Sequence, residues 1–377
     1  MPEKIFIIAG EASGDHHAAD LVRELKAQKP GIEFIGIGGD EMQKEGVTLL
    51  YHISQLAILG ITEVLKHLPF IRKVLKTVKS QIQQGVEAII LVDYPGFNLR
   101  AARIAKGTGV PVIYYISPQL WAWGEKRVEK MRRFVDLLLV IFQFEETFYK
   151  THGITAHFVG HPLVDQVKIG KNEAQFRREN NIPLDRPIVG MLPGSREMEV
   201  RNLLPVMVKT MEVLKQKFDF IPVLGRASQL SKTLYEEYIP ADSGILLLSS
   251  QTHYLMRYSY AVMVASGTAT LECGYLQTPM VVLYSVSPIT YWLGRMMIKI
   301  ENIALANIVS GKRVVPEFIQ KDITVENVSS ALARYFSEPE YYTSVRTDLG
   351  RIKKALGKQG ASKRAAEQIV SFLDSKR

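Results

Sequence analysis

Cys273 is the only cysteine among 377 residues. That excludes an intrachain disulfide and a thiolate zinc cage, and it points to a reducing compartment. The chain also lacks any Asp-x-Asp pair. His152, His157 and His161 lie close together, but Gly160 and Pro162 spoil a regular helical pair at 157 and 161, so no metal is expected. Long apolar runs are missing as well. The most apolar stretch, Val135 to Phe144, contains Asp136 and Gln143 and falls well short of the roughly 20 residues that span a bilayer. The apolar run before Gly10 is too short for a signal-peptide core. The expectation is a cytoplasmic protein that crosses no membrane. The first glycine loop, Gly10-Glu11-Ala12-Ser13-Gly14-Asp15, departs from G-x-G-x-x-G, which disfavours a cofactor-dependent dehydrogenase, and no cofactor is expected.

What is present is enough apolar material, 47% of residues, to bury a large core in two or three domains. The net charge of +9 draws polyanions, whether nucleic acid, anionic lipid or phosphorylated substrate. No recognisable nucleic-acid motif accompanies it, so nucleic acid is not an expected partner. Short β-branched runs alternate with helical patterns, the signature of βαβ units around parallel sheets. Candidate strands are 4–9, 33–37, 88–92, 112–115, 137–141 and 156–159, then 188–192, 220–224, 245–248, 261–265 and 280–284. A polar stretch at 168–186 shows no apolar period and reads as a linker. The chain therefore reads as two doubly wound α/β domains, 1–167 and 168–347, with a basic helical tail from about 348 that packs on either one. Ligands of such sheets bind at the carboxyl ends of the strands, so two facing domains make a cleft.

Four strand-to-helix loops carry the candidate chemistry. Gly194-Ser195-Arg196 offers backbone N–H groups, a helix dipole and a guanidinium to an anion, or is an ordinary turn. Ser266-Gly267-Thr268 repeats the arrangement. There Ser266 or Thr268 is a candidate cap, and Glu272, one turn on, is placed to accept from a ribose diol or merely complements the dipole. Asp93 ends an apolar strand before the turn Tyr94-Pro95-Gly96, with Asn98 a candidate cap. A carboxylate there suits a general base, and equally suits hydrogen bonding the turn. In the first loop Glu11, Ser13 and Asp15 are candidates for a ligand contact or for capping. Trp121 and Trp123 lie in a Pro-containing loop, where large aromatics line a pocket or pack beneath the loop.

The segment 61–79 is amphipathic. Ile61, Val64, Leu65, Leu68, Ile71, Leu75 and Val78 keep helical spacing, Arg72 and Lys73 lie among the basic residues on other faces, and Pro69 marks a break. Phe70 and Val74 widen the apolar face beyond one stripe. An interfacial segment on an anionic membrane is therefore favoured here over a core-facing helix.

Taken together, GEASGD at 10–15, VDYPGFN at 92–98, SPQLWAW at 117–123, VGHP at 159–162, LPGSR at 192–196, ASGTATLE at 265–272 and ANIVSGK at 306–312 resemble the lipid A disaccharide synthase family of glycosyltransferases. The motifs cover about residues 5–320. The resemblance implies a GT-B fold, two Rossmann-like domains facing a cleft, and a metal-independent inverting transfer. The implied donor is UDP-2,3-diacylglucosamine and the implied acceptor 2,3-diacylglucosamine 1-phosphate, joined β-1,6 with release of UDP. Asp93 matches the family's essential aspartate. Because Gly96 replaces the second Asp found in some members, only Asp93 is available for that role. Arg196 and Asn307 match positions on the nucleotide side, and Ser266, Gly267, Thr268 and Glu272 would cradle UDP. Peripheral association with the inner membrane and a homodimer exchanging C-terminal segments are implied too. The rival readings are another GT-B UDP-sugar enzyme, such as a lipid II glucosaminyltransferase or a UDP-sugar epimerase, and a non-catalytic basic scaffold.

Overall fold

The computed structural model describes residues 3–56, 68–122, 124–286 and 302–377. Val64, Leu65 and Trp123 lie outside the described residues, and Leu68 is described only as backbone. Seven parallel strands, β1 (Lys4–Ala9), β2 (Glu33–Gly38), β3 (Thr48–His52), β4 (Ala88–Val92), β5 (Val112–Tyr115), β6 (Leu137–Val140) and β7 (Ala156–Phe158), form one sheet in the order β3-β2-β1-β4-β5-β6-β7. Six more, β8 (Ile188–Leu192), β9 (Ile221–Arg226), β10 (Leu246–Ser249), β11 (Ala261–Ala265), β12 (Met280–Tyr284) and β13 (Glu317–Ile319), form a second in the order β10-β9-β8-β11-β12-β13. The central strands β4, β8 and β11 are buried at every position. Helices covering both faces of a parallel sheet require this, and it explains why these strands read as unbroken apolar runs rather than alternating ones.

The chain divides into two compact units, 1–165 with 356–377 and 166–355. The tail begins later than 348, because helix Pro339–Ala355 belongs to the second unit. Helix Ala361–Asp374 buries Ala365, Ala366 and Ile369 and lies on helix Ala12–Gln28 of the first unit. The Asp165 carboxylate caps it, accepting from the Gly360 and Ala361 N–H groups at 2.7 and 3.1 Å.

Two expectations are corrected. The stretch 168–186 holds a helix, Glu173–Glu179, started by a reciprocal Asn172–Gln175 cap. Its Phe176 is buried against Tyr254 and Tyr258. The described part of the amphipathic segment, helix Leu68–Gln83, turns its apolar side inward. Ile71, Val74, Val78 and Ile82 sit in the core of the first unit, and Phe70 and Leu75 pack against it. The extra apolar width is met by protein. Arg72, Lys73, Lys76 and Lys79 are left exposed.

Candidate active site

In a doubly wound sheet the loops diverge where the strand order reverses, and the crevice between them receives the ligand. In the first unit the reversal falls between β1 and β4, where Glu11 and Asp93 stand. Asp93 and Tyr94 both adopt left-handed conformations with φ of 46°, a costly arrangement for two consecutive non-glycine residues. It is held from below. The buried Asn98 side chain donates to the Val92 and Asp93 carbonyls at 3.1 and 2.7 Å, and the Tyr114 hydroxyl donates to the Asp93 carbonyl at 2.5 Å. Asn98 therefore fixes the turn; the helix Pro95–Gly107 is entered through Tyr94 instead. Gly10 is required here, because a Cβ would lie 2.1 Å from the Tyr94 ring. Burial, with the nearby Glu11 carboxylate adding to it, pushes the Asp93 carboxyl up to about 6, close to where a general base works best at neutral pH.

The other first-unit candidates separate. Glu11 and Ser13 are exposed at the start of helix Ala12–Gln28. Asp15 is 3% exposed and accepts from the Gly39, Glu41 and Met42 N–H groups at 2.6, 3.0 and 3.2 Å, capping the helix Asp40–Lys44. Trp121 is half-buried, its ring edge-on to Phe144 and its indole N–H donating to Glu145 at 3.1 Å. Glu145 escaped the sequence reading. It is fully buried, also accepts from the Ile141 and Phe142 N–H groups, and is pushed up to about 7 by burial. Its only sequence signal is an acidic residue in the first turn of a helix. Of the three histidines, His161 is buried and accepts from the Leu163 N–H, and His152 lies 3.5 Å from Glu125.

In the second unit the reversal falls between β8 and β11, and a cavity of about 490 Å³ opens there. Gly194, Ser195, Arg196, Ser266, Gly267, Thr268 and Glu272 all line it, joined by Arg226 and Gln229. The two loops differ in what they leave free. Glu199 folds back on the first: its carboxylate accepts from the Ser195 and Arg196 N–H groups at 3.0 and 3.2 Å and lies 3.2 Å from the Arg196 guanidinium. Those N–H groups are occupied rather than spare. Gly194, at φ 113°, makes room for this, since a Cβ would meet the Glu199 carboxylate at 2.2 Å. Among the described residues the second loop has no such plug. Helix Thr268–Tyr275 starts from Gly267 with no side-chain cap from them, contrary to the expected capping by Ser266 or Thr268, so its N-terminus lies open to the cavity. Glu272 sits one turn in, 3.6 Å from His253.

Asn307 does not join this cavity. It is fully buried: its amide donates to the Val315 carbonyl and Glu317, and its oxygen accepts from the Val314 and Val315 N–H groups at 2.7 and 3.0 Å. That amide is spent on strand β13 and the loop before it, which gives Asn307 a structural role in the second unit.

Two parallel doubly wound units, each with its candidate residues at a strand-order reversal, define a GT-B architecture. The fold resembles a Staphylococcus aureus MnaA–UDP co-structure (TM-score 0.65, 14% identity, covering 99% of this chain and 97% of that one). It also resembles the calicheamicin glycosyltransferase CalG4 (TM-score 0.65, 13% identity, 99% and 98%). A family model described as lipid-A-disaccharide synthetase matches residues 5–371. Lipid-A-disaccharide synthases of Myxococcus xanthus and Geobacter metallireducens are 40% and 38% identical, over 99% and 100% of this chain and 98% of each relative. The chain belongs to the lipid-A-disaccharide synthetase family and is a glycosyltransferase of lipid A biosynthesis. A Listeria monocytogenes protein described as a UDP-N-acetylglucosamine 2-epimerase is also similar (TM-score 0.66, 13% identity, 100% of this chain and 98% of that one), but that likeness is one of fold, and neither rival reading is favoured over the family.

Proposed function

We propose that the protein transfers 2,3-diacylglucosamine from its UDP conjugate to the 6-hydroxyl of 2,3-diacylglucosamine 1-phosphate, forming a β-1,6 disaccharide and releasing UDP. The observation that carries the assignment of the base is Asp93: a carboxylate at the β1/β4 reversal, held up to about 6 by burial and Glu11. It takes the proton of the acceptor hydroxyl as that oxygen attacks the anomeric carbon. Attack from the face opposite the leaving group inverts the configuration. Glu11, Ser13 and Trp121 flank the acceptor side.

Negative charge grows on the departing diphosphate, so donors already aimed at it lower the barrier without reorganising. The bare N-terminus of helix Thr268–Tyr275 supplies them, with Arg196 adding a charge. The Arg196 side chain is 83% exposed and, among the described residues, tied only to Glu199, so it can swing onto a phosphate. Glu272 accepts from the ribose diol.

Among the described residues no helix is long and apolar enough to cross a membrane. Contact with the inner membrane then rests on Arg72, Lys73, Lys76 and Lys79, exposed on helix Leu68–Gln83, each contributing about 1 kcal/mol beside anionic lipid. Exchange of the C-terminal segments between two copies would keep the Asp165 caps but make them intermolecular.

The test is incubation of the purified protein with both lipid substrates, following UDP and the disaccharide. Asp93→Asn should lower kcat by about 10²- to 10⁴-fold, and the native rate should climb with pH through about 6, because the base acts deprotonated. A native protein that releases no UDP refutes the reaction. Full turnover by Asp93→Asn removes the base.

A further inference from the structure

A cavity of about 430 Å³ opens at the opposite end of the second sheet. It lies beside Ile188 at the start of β8, Tyr260 just before β11 and Pro279 just before β12. Strand β8 alone separates this end from the Gly194 loop by about 15 Å, so the cavity is distinct from the candidate nucleotide site. Four arginines line it, Arg177, Arg186, Arg257 and Arg346, against two acids, Glu173 and Asp185.

These cations are not equivalent. Arg177 is buried and spent: Glu173 accepts from it at 2.8 Å, and the Pro183 and Arg186 carbonyls accept at 2.5 and 3.0 Å. Arg186 has, among the described residues, only loose carboxylate partners, Asp219 at 3.3 Å and Asp185 at 4.0 Å, both largely exposed. Among the described residues no carboxylate lies within 4.0 Å of Arg257 or Arg346. Arg257 donates, among the described residues, only to the Leu276 carbonyl at 3.3 Å, and Arg346 rests over the Tyr342 ring and donates to the Tyr342 hydroxyl, a neutral partner.

The neutral groups of the wall are turned the other way. The hydroxyls of Ser259, Thr278, Tyr258, Tyr260 and Tyr342 all donate to backbone carbonyls. The strong donors left facing the cavity are therefore guanidinium N–H groups, carried on a wall stiffened by the stacked Tyr260 and Tyr342 rings, 4.3 Å apart and 6° from parallel. A guanidinium fork matches two oxygens of a phosphate and keeps its charge at any working pH.

We propose that this cavity is a second anion site that binds a phosphate monoester or inorganic phosphate through Arg257, Arg346 and Arg186, apart from the site of transfer. The ligand's phosphate is either free in solution or presented on a lipid headgroup, and the chemistry of recognition is the same.

Inorganic phosphate is titrated into the full-length protein by calorimetry, with UDP at saturation to occupy the other cavity. It should bind at one site, and Arg257→Gln and Arg346→Gln should each weaken it about tenfold, the worth of one hydrogen bond to a charged group. Both side chains are exposed, and thermal unfolding of each variant checks that the fold is kept. In a second arm, phosphatidylcholine vesicles doped with phosphatidic acid are sedimented with native and doubly substituted protein. Weaker capture of the double variant assigns the phosphate to a lipid headgroup, and equal capture with weakened calorimetric binding assigns it to solution. Phosphate affinity and vesicle capture both unchanged by the substitutions overturn the site, as does phosphate binding that UDP abolishes.

Discussion

Glu145 makes a prediction whose sign and size both follow from its surroundings. One carboxylate oxygen accepts from the Trp121 indole at 3.1 Å, and the other from the Ile141 and Phe142 N–H groups at 3.3 and 3.1 Å. These donors favour the charged form, but complete burial disfavours it more, and Asp93 adds like charge, so the group moves from 4.5 up to about 7. A carboxyl that holds its proton more tightly when folded stabilises the fold fully below about 4.5, and loses that contribution as pH rises through about 7. Two and a half pH units correspond to about 3 kcal/mol. Glu145→Gln keeps the shape and removes the titration. Urea denaturation of both proteins, followed by tryptophan fluorescence from pH 4.5 to 8, should therefore show the native protein losing about 3 kcal/mol relative to the variant across that range. His17 and His161, which burial lowers to about 4 and about 3, titrate with the opposite sign over part of the same range. They are common to both proteins and cancel in the difference. Parallel curves would show that burial does not perturb Glu145. A difference that grows in the native protein's favour with pH would mean that the three N–H donors win over desolvation.

The three corrected or refined site residues are separable in the same way. Gly194→Ala drives a methyl into the Glu199 carboxylate at a φ of 113°. It should cost about 1–3 kcal/mol and raise the KM for the UDP-sugar, read from initial rates; an unaltered KM would detach the loop from the donor. Asn307→Ala leaves the Val314 and Val315 N–H groups and the Glu317 carboxylate without their partner. It should lower stability by about 3 kcal/mol while folded protein still titrates with UDP normally. Lost UDP affinity at unchanged stability would return Asn307 to the nucleotide. Asp15→Ala removes the cap of helix Asp40–Lys44 at a cost of about 1–2 kcal/mol, with kcat retained once the protein is folded; a collapse of kcat alone would make Asp15 an acceptor contact.

How far the sequence could be read depended on whether the partner of a residue was local. Interior strands such as β4 and β8 announce themselves because both faces are buried and every position is apolar. The edge strands β3 and β13 were missed: every position of β3 is at least partly exposed, and β13 has three residues, so neither needed an apolar run. The place of Asp93 was legible because the strand before it is an unbroken apolar run that ends at Val92. The partners of Asp15 and Asn307 were not legible, because they lie more than twenty residues away for one and on a neighbouring irregular loop for the other. The apolar face of helix Leu68–Gln83 was misassigned for a related reason: a wide apolar face states that something covers it, not whether protein or lipid does so. The loop at Gly194 carries the same ambiguity into electrostatics. A helix N-terminus with exposed N–H groups calls for negative charge, and the sequence locates that call. Three residues on, Glu199 answers it from within the chain, while the loop at Gly267 has no acid in its first turn and stays open. Two loops with similar glycine and serine content thus divide the work. One is closed by its own carboxylate and presents Arg196, and the other leaves its amides open to the cavity. That asymmetry, set by an acidic residue within the first turn of one helix, is what a motif comparison of the two loops does not display.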